Sequence, residues 1–170
     1  MMSRRNTLLS AGALGATVAG VVAGLRGLFT ATPANAAEPA RTYAVTRSSA
    51  EWQKTLTAEQ FKVLRQAGTE RPGSSPLNKE KRAGVFTCAA CALPLFSSKT
   101  KFESGTGWPS FWQPIDQAVV EDTDTTLFMK RTEVLCRQCG GHLGHVFNDG
   151  PKPTGLRYCM NGVAMNFTAT

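Results

Sequence analysis

Two cysteine pairs constrain this chain more than any other feature. Cys88-Ala-Ala-Cys91 and Cys136-Arg-Gln-Cys139 each hold two thiols at C-x-x-C spacing, and 44 residues separate the pairs. One such knuckle offers two soft, anionic ligands to a single ion. Two knuckles complete a tetrahedral set, which suits one structural zinc with no position left open for chemistry. The fold must then bring two distant stretches to one point, and in a small domain metal binding of this kind contributes directly to folding. Disulfides remain a rival reading if the compartment is oxidising. A redox C-x-x-C is a third, but it usually accompanies a βαβ pattern that this chain lacks. The doubled spacing favours the metal.

Five is an odd number, so Cys159, in 155-GLRYCMNGVAMNF-167, has no obvious partner. Free cysteine packs readily as a small buried residue, and that alone would account for it. Its surroundings point elsewhere. Arg157 stands two residues before it, on the same face if this is a strand, where a fixed positive charge favours the thiolate. Asn161, two residues after, can donate or accept a hydrogen bond from that side. The only two histidines, His142 and His145, lie together in the Gly-rich segment 140-GGHLGHVFNDGP-151. A nucleophilic thiol with acid–base partners fits this set.

The first 36 residues differ from the rest. Arg4 and Arg5 precede an uncharged run rich in Ala, Gly, Val and Leu, and 33-PANAA-37 offers small residues for a cut after Ala36. That is the layout of an export signal, and the paired arginines favour the twin-arginine route. An uncleaved run would be a membrane anchor instead. The expected location is therefore the periplasm or cell exterior, with membrane attachment only if cleavage fails. The twin-arginine route carries folded proteins, so a metal loaded in the cytoplasm can arrive already enclosed. The mature chain would hold 134 residues, enough for one domain. Losing three arginines and no acid lowers the formal charge from +7 to +4. No run of five basic residues occurs, which argues against a nucleic-acid partner. A monomer is the default expectation.

Residues 37–48 lack periodicity and read as a flexible lead into a domain spanning 49–170. A short helix is expected after Ser49, with Trp52 and Leu56 on one side. Thr57 and Gln60 have capping-box spacing for a second helix, with Phe61, Leu64 and Ala67 on one face and Gly68 as the stop. Beyond Gly84 short strands are expected at Val85–Thr87, Leu95–Phe96, Val119–Glu121, Thr126–Leu135, Val146–Phe147, Arg157–Cys159 and Ala164–Phe167. The clearest of these, Thr126–Leu135, sets Leu127, Met129 and Arg131 against Phe128, Lys130 and Thr132 in the period of two. Without βαβ alternation the fold class is mainly β, with antiparallel sheets and short N-terminal helices.

Taken together, 88-CAAC-91, 102-FESGTGWPSFWQPI-115, 136-CRQCGGHLGHVFNDGP-151 and 157-RYCMN-161 closely resemble the methionine-R-sulfoxide reductases of the B class, from about Trp52 to Phe167. The resemblance implies two antiparallel sheets stapled by a zinc ion away from the active site. It implies that the Cys159 thiolate attacks the sulfur of an R-configured methionine sulfoxide, in repair of oxidised proteins. His145 would be the general acid and His142 would help hold water and substrate. Arg157 would favour the thiolate, Asn161 would orient the site, and Trp108 with Phe111 would contact the substrate. Many relatives carry a resolving cysteine where Thr106 stands, and often serine where Gly162 stands. With Thr106 in place, a thioredoxin-like external thiol is expected to reduce the Cys159 sulfenic acid directly.

Overall fold

A computed structural model describes residues 41–126 and 129–170. The export signal expected in residues 1–36 lies outside the described residues. Among them, nine strands form two antiparallel sheets preceded by two short helices, and no helix is long and apolar enough to cross a membrane.

Both helices are fixed by their first turns. Ser48 and Glu51 form a capping box for α1 (Ser49–Thr55), so that helix begins at Ser49 itself. Thr57 and Gln60 form the expected box for α2 (Ala58–Gln66). Each box satisfies N–H groups that the first turn leaves free. The end of α2 differs from expectation. Ala67, not Gly68, takes the left-handed conformation (φ 51°), while Gly68 N–H closes the turn on the Lys62 carbonyl. Ala67 is thereby exposed, and Val63 joins Leu64 as the buried face. Residues 41–48 form no helix or strand, but Val45 N–H donates to the Gln138 carbonyl (2.9 Å), beside the second cysteine knuckle.

In the smaller sheet, β1 (Gly84–Cys88) lies between β2 (Pro94–Ser97) and β9 (Met165–Ala169). The larger sheet runs β3 (Lys101–Phe102), β4 (Ser110–Phe111), β8 (Arg157–Met160), β7 (His142–Phe147), β6 (Arg131–Cys136), β5 (Val119–Asp124). Three rings join the sheets: Phe111 stacks on Phe96 at 4.4 Å and meets Phe86 edge-on at 4.9 Å. Leu95, Val134, Leu143 and Met160 fill the space around them, all fully buried. Each such side chain contributes about 1.5–3 kcal/mol on burial, and the ring pairs about 0.5–1.5 kcal/mol more.

Four strands depart from the expected pattern. The strand expected over Thr126–Leu135 starts at Arg131. Asp124 Oδ1 accepts from Thr126 N–H (2.8 Å) and Met129 N–H reaches the Thr126 carbonyl, so the chain turns here to pair Asp124 with Arg131. Leu127 and Phe128, two of the six residues of the expected alternation, lie outside the described residues. Strands β3 and β4 have two residues each, too short to show a period, and exist because β4 pairs with β8. β7 is longer than Val146–Phe147 and carries a bulge: Val134 pairs with Gly144 but Leu135 with His142.

Gly144 is where β7 approaches β8 most closely. A Cβ built on it would lie 2.1 Å from the Cys159 carbonyl oxygen and 3.0 Å from Met160 Cα. Gly144→Ala must therefore push apart the two central strands. It should cost about 2–3 kcal/mol, typical of overpacking a tight interior, read as a lower thermal midpoint. An unchanged midpoint would contradict the close approach.

Candidate functional site

The two cysteine knuckles are built alike. Cys88 ends β1, its N–H donates to the Leu93 carbonyl, and its carbonyl accepts from Ala92 N–H. Cys136 ends β6 and repeats the pattern with Gly141 and Gly140. Ala92 (φ 61°) and Gly140 (φ 66°) supply the left-handed turn that points both thiols of each knuckle to one side. The four Sγ atoms lie within 4.8 Å of one another, with Cys88–Cys139 at 3.8 Å and Cys91–Cys136 at 3.5 Å. None of the five cysteines is in a disulfide. Metal–sulfur bonds of about 2.3 Å in a tetrahedron require sulfurs about 3.8 Å apart, so these cysteines fit one metal ion. Arg65, unremarked in the sequence, completes the arrangement. It donates to Cys139 Sγ (3.1 Å) and to the Cys139 carbonyl (2.9 Å), while its guanidinium rests on the Trp52 ring. A cation there offsets the negative charge that four thiolates concentrate.

Cys159 lies elsewhere, in the middle of the larger sheet. It is directly opposite His145 on β7 and Ser110 on β4, so these three side chains share one face. Tyr158 and Phe111, paired one position along, point to the core. Phe111 therefore does not reach the site; the resemblance placed it in contact with substrate, but the period of two turns it away from Cys159.

Arg157 does share the face of Cys159, and its charge does favour the thiolate, yet burial outweighs it. Desolvation is the largest influence on Cys159 and pushes the thiol above its ordinary value. The Thr106 hydroxyl and Arg157 act in the opposite direction, while Asp149 adds to the rise. Asp149 matters here because it holds Arg157 through two bonds, Nε–Oδ1 at 2.8 Å and Nη2–Oδ2 at 2.9 Å, with the guanidinium lying over Phe147. Half of the fork is thus committed to a carboxylate rather than to sulfur.

The β7 bulge brings the two histidines together. Residues three apart on a regular strand face opposite ways, but here the rings meet edge-on at 5.4 Å. His142 is buried; its Nδ1 is 2.5 Å from Glu133 Oε1, and its Nε2 has no partner among the described residues. His145 Nε2 is 2.8 Å from Asp124 Oδ2, which Arg131 also holds (2.6 Å). Hydrogen bonds, chiefly around Thr126, keep Asp124 far below the usual carboxylate range, and burial lowers His145. An ionised Asp124 assigns the Nε2 proton of neutral His145, leaving Nδ1 as its basic nitrogen. Glu133, Asp124 and Arg131 went unnoticed in the sequence, because only strand pairing sets them beside the histidines.

Asn161 does not face Cys159. The strand ends at Met160, and the buried Asn161 amide bonds the Leu143 carbonyl (3.1 Å) and Glu70 N–H (2.9 Å). Glu70 is a clamp: its carboxylate accepts from Gly162 and Val163 N–H, and its carbonyl accepts from Trp108 Nε1–H (3.2 Å). Asn161 thus acts through Glu70 on the half-buried Trp108, which leads into β4 beside the nucleophile. No local pattern announces Glu70, 91 residues from Asn161. The space a side chain at 162 would occupy is filled by Ser75, whose Oγ would lie 2.0 Å from a Cβ on Gly162. A 980 Å³ cavity between α2, the 69–82 segment and β9 contains no thiol or imidazole, so cavity size does not locate the chemistry.

Removing metal from the four cysteines should abolish cooperative unfolding, since both knuckles would lose their common anchor. Arg65→Met should release metal to a colorimetric chelator about tenfold faster, the scale of outer partners of metal ligands. Equal release rates for wild type and variant would exclude that role for Arg65.

The SelR domain family model matches residues 56–169. The chain is 61% identical over 125 residues to the peptide methionine sulfoxide reductase MsrB of Methanosarcina barkeri, covering 73% of this chain and 88% of that protein. It is 55% identical over 126 residues to the MsrB of Leptospira interrogans, covering 74% and 96%. It is 58% identical over 118 residues to that of Pseudomonas putida strain W619, covering 69% and 89%. With the family model covering 56–169 and relatives this similar over most of their length, this chain belongs to the SelR-domain, MsrB family of methionine sulfoxide reductases.

Proposed function

We propose that this protein reduces the R epimer of methionine sulfoxide in other proteins to methionine, with Cys159 as nucleophile. The observation that carries the reading is Cys159 directly opposite His145, with His142 alongside and Trp108 two residues before Ser110, the β4 partner of Cys159. Relatives named as peptide methionine sulfoxide reductases support the substrate class.

Burial keeps the Cys159 thiol protonated and His145 neutral before substrate arrives. His145 Nδ1 takes the thiol proton as Sγ bonds to the sulfoxide sulfur, then delivers it to the sulfoxide oxygen. The hydroxyl then passes from the substrate sulfur to Sγ as the sulfoxide S–O bond and the new S–S bond break, leaving Cys159 as a sulfenic acid and the substrate as a thioether. The cysteine sulfur gives up two electrons and the sulfoxide sulfur gains them. His142 Nε2 is a further polar group for that oxygen. Trp108 is the apolar wall for the methyl group. Only one epimer aims its oxygen at the histidines while the methyl lies on the wall, which favours the R form.

The remaining cysteines are the metal-site four, so an external dithiol of the thioredoxin type completes the cycle. Its first thiol attacks the sulfenic sulfur and expels water, and its second releases Cys159 from the mixed disulfide. Zinc is the ion best suited to four thiolates, and Cys88, Cys91, Cys136 and Cys139 would hold one for stability, not for chemistry. Residues 1–36 would export the folded protein by the twin-arginine route, so that repair takes place outside the cytoplasm.

In single turnover without reductant, the R epimer of a peptide sulfoxide should give about one methionine per enzyme, the limit set by one sulfenic acid. The S epimer and Cys159→Ser should give none. Reaction of both epimers would remove the stereochemical reading, and an internal Cys159 disulfide in the product mass spectrum would remove the external reductant. Fused to a folded reporter, residues 1–36 should direct export that Arg4→Lys with Arg5→Lys abolishes; export by the double variant would exclude the twin-arginine route.

A further inference from the structure

Three hydroxyls form an unbroken line to the nucleophile. Thr106 Oγ1 is 3.8 Å from Cys159 Sγ, within hydrogen-bonding range of a sulfur. Ser104 Oγ is 2.9 Å from Thr106 Oγ1 and 2.7 Å from Ser110 Oγ, and Ser110 Oγ is 3.1 Å from the Trp108 carbonyl. Ser110 is fully buried, and Cys159 lies opposite it across the β4–β8 pair. We propose that this line is a reversible relay: Thr106 is a catalytic donor to the Cys159 sulfur, and Ser104 and Ser110 position and polarise it.

The proton count supports two complete arrangements. A hydroxyl has one proton and can accept at its oxygen. With a neutral thiol, Sγ–H donates to Thr106, Thr106 to Ser104, Ser104 to Ser110, and Ser110 to the Trp108 carbonyl. With a thiolate the direction reverses: Ser110 donates to Ser104, Ser104 to Thr106, and Thr106 to the sulfur. The reversal needs three hydroxyl rotations and no movement of heavy atoms. Ser110 Oγ and the Trp108 carbonyl each lose a donor, and the charged sulfur gains one. A chain of aligned hydroxyls strengthens its last bond, most of all when that bond ends on a charge.

The charged groups around the sulfur leave this task to the hydroxyls. Arg157, from β8, favours the thiolate but is forked onto Asp149, which opposes it. His145, from β7, is neutral, with Asp124 and Arg131 behind it and His142 on Glu133 beside it. Burial raises the thiol, so the state that attacks a sulfoxide must be supported at the moment it forms. The inference deepens the proposed reductase and rests on it for its purpose, but the relay is measurable without any sulfoxide.

The measurement is the pH dependence of Cys159 alkylation by iodoacetamide in the metal-loaded full domain, read by mass spectrometry of the peptide containing Cys159. Only the thiolate reacts, and a raised thiol means that the rate keeps climbing above the range where a free cysteine levels off, leaving a small reactive fraction at neutral pH. Thr106→Val, nearly the same shape without the hydroxyl, should raise the midpoint by about one pH unit, a tenfold slower rate at pH 7. Thr106→Ser should restore the wild-type midpoint, and Ser104→Ala should raise it by a smaller amount, since Thr106 keeps its hydroxyl but loses its donor. A Thr106→Val midpoint equal to wild type, or a Thr106→Ser midpoint as high as that of Thr106→Val, would overturn the relay. A shifted midpoint in a protein that reduces neither epimer would uphold the relay and overturn the reductase.

Discussion

The four-cysteine cluster is the constraint on which the rest depends. Each knuckle begins where a strand of a different sheet ends, β1 in one case and β6 in the other. Bringing the four sulfurs within 4.8 Å therefore fixes one sheet against the other at one edge, while Phe111 between Phe86 and Phe96 fixes them in the middle. A domain of this size has limited apolar area to bury, so a shared metal site adds what packing alone supplies sparingly. Arg65 extends the anchor to α2, linking the helix that packs on β7 to the metal site.

At the nucleophile two demands compete. A thiol must lose a proton to attack, yet Cys159 is set into a sheet whose burial disfavours the charge. The structure does not settle this with a free cation, since Arg157 is bound to Asp149. It surrounds the sulfur with groups that move protons: a neutral imidazole across the β7–β8 pair and a hydroxyl line from the loop before β4. Both depend on register. A slip of one residue in β8 would send Cys159 to the core face and Tyr158 to the site.

How much of this was legible in sequence depends on how local each device is. The Thr57–Gln60 capping box, the C-x-x-C knuckles and the Arg157–Cys159 face follow from residues within a few positions of one another. The two-residue strands β3 and β4 carry no period, and the early turn at Thr126 hides in what looks like a strand. Phe111 shows the limit of carrying over a motif: it sits beside Ser110 in sequence but on the opposite face of the sheet. Asn161 illustrates another, because the strand stops at Met160 and its side chain turns to Glu70.

The sequence by itself determined the family, the four-cysteine set that can hold a metal ion and the mainly β class, and it singled out Cys159 for the proposed chemistry, because each rests on residue type and spacing along the chain. Only the tertiary structure decided which side chains meet. The β7 bulge joined His142 to His145, strand pairing placed Asp124 and Glu133 behind them, and Ser110 on β4 and Thr106 in the loop before it came to Cys159 from some 50 residues away. The physical reason is the period of two: a strand's sequence says which residues share a face, but the partner strand and its register say what they face.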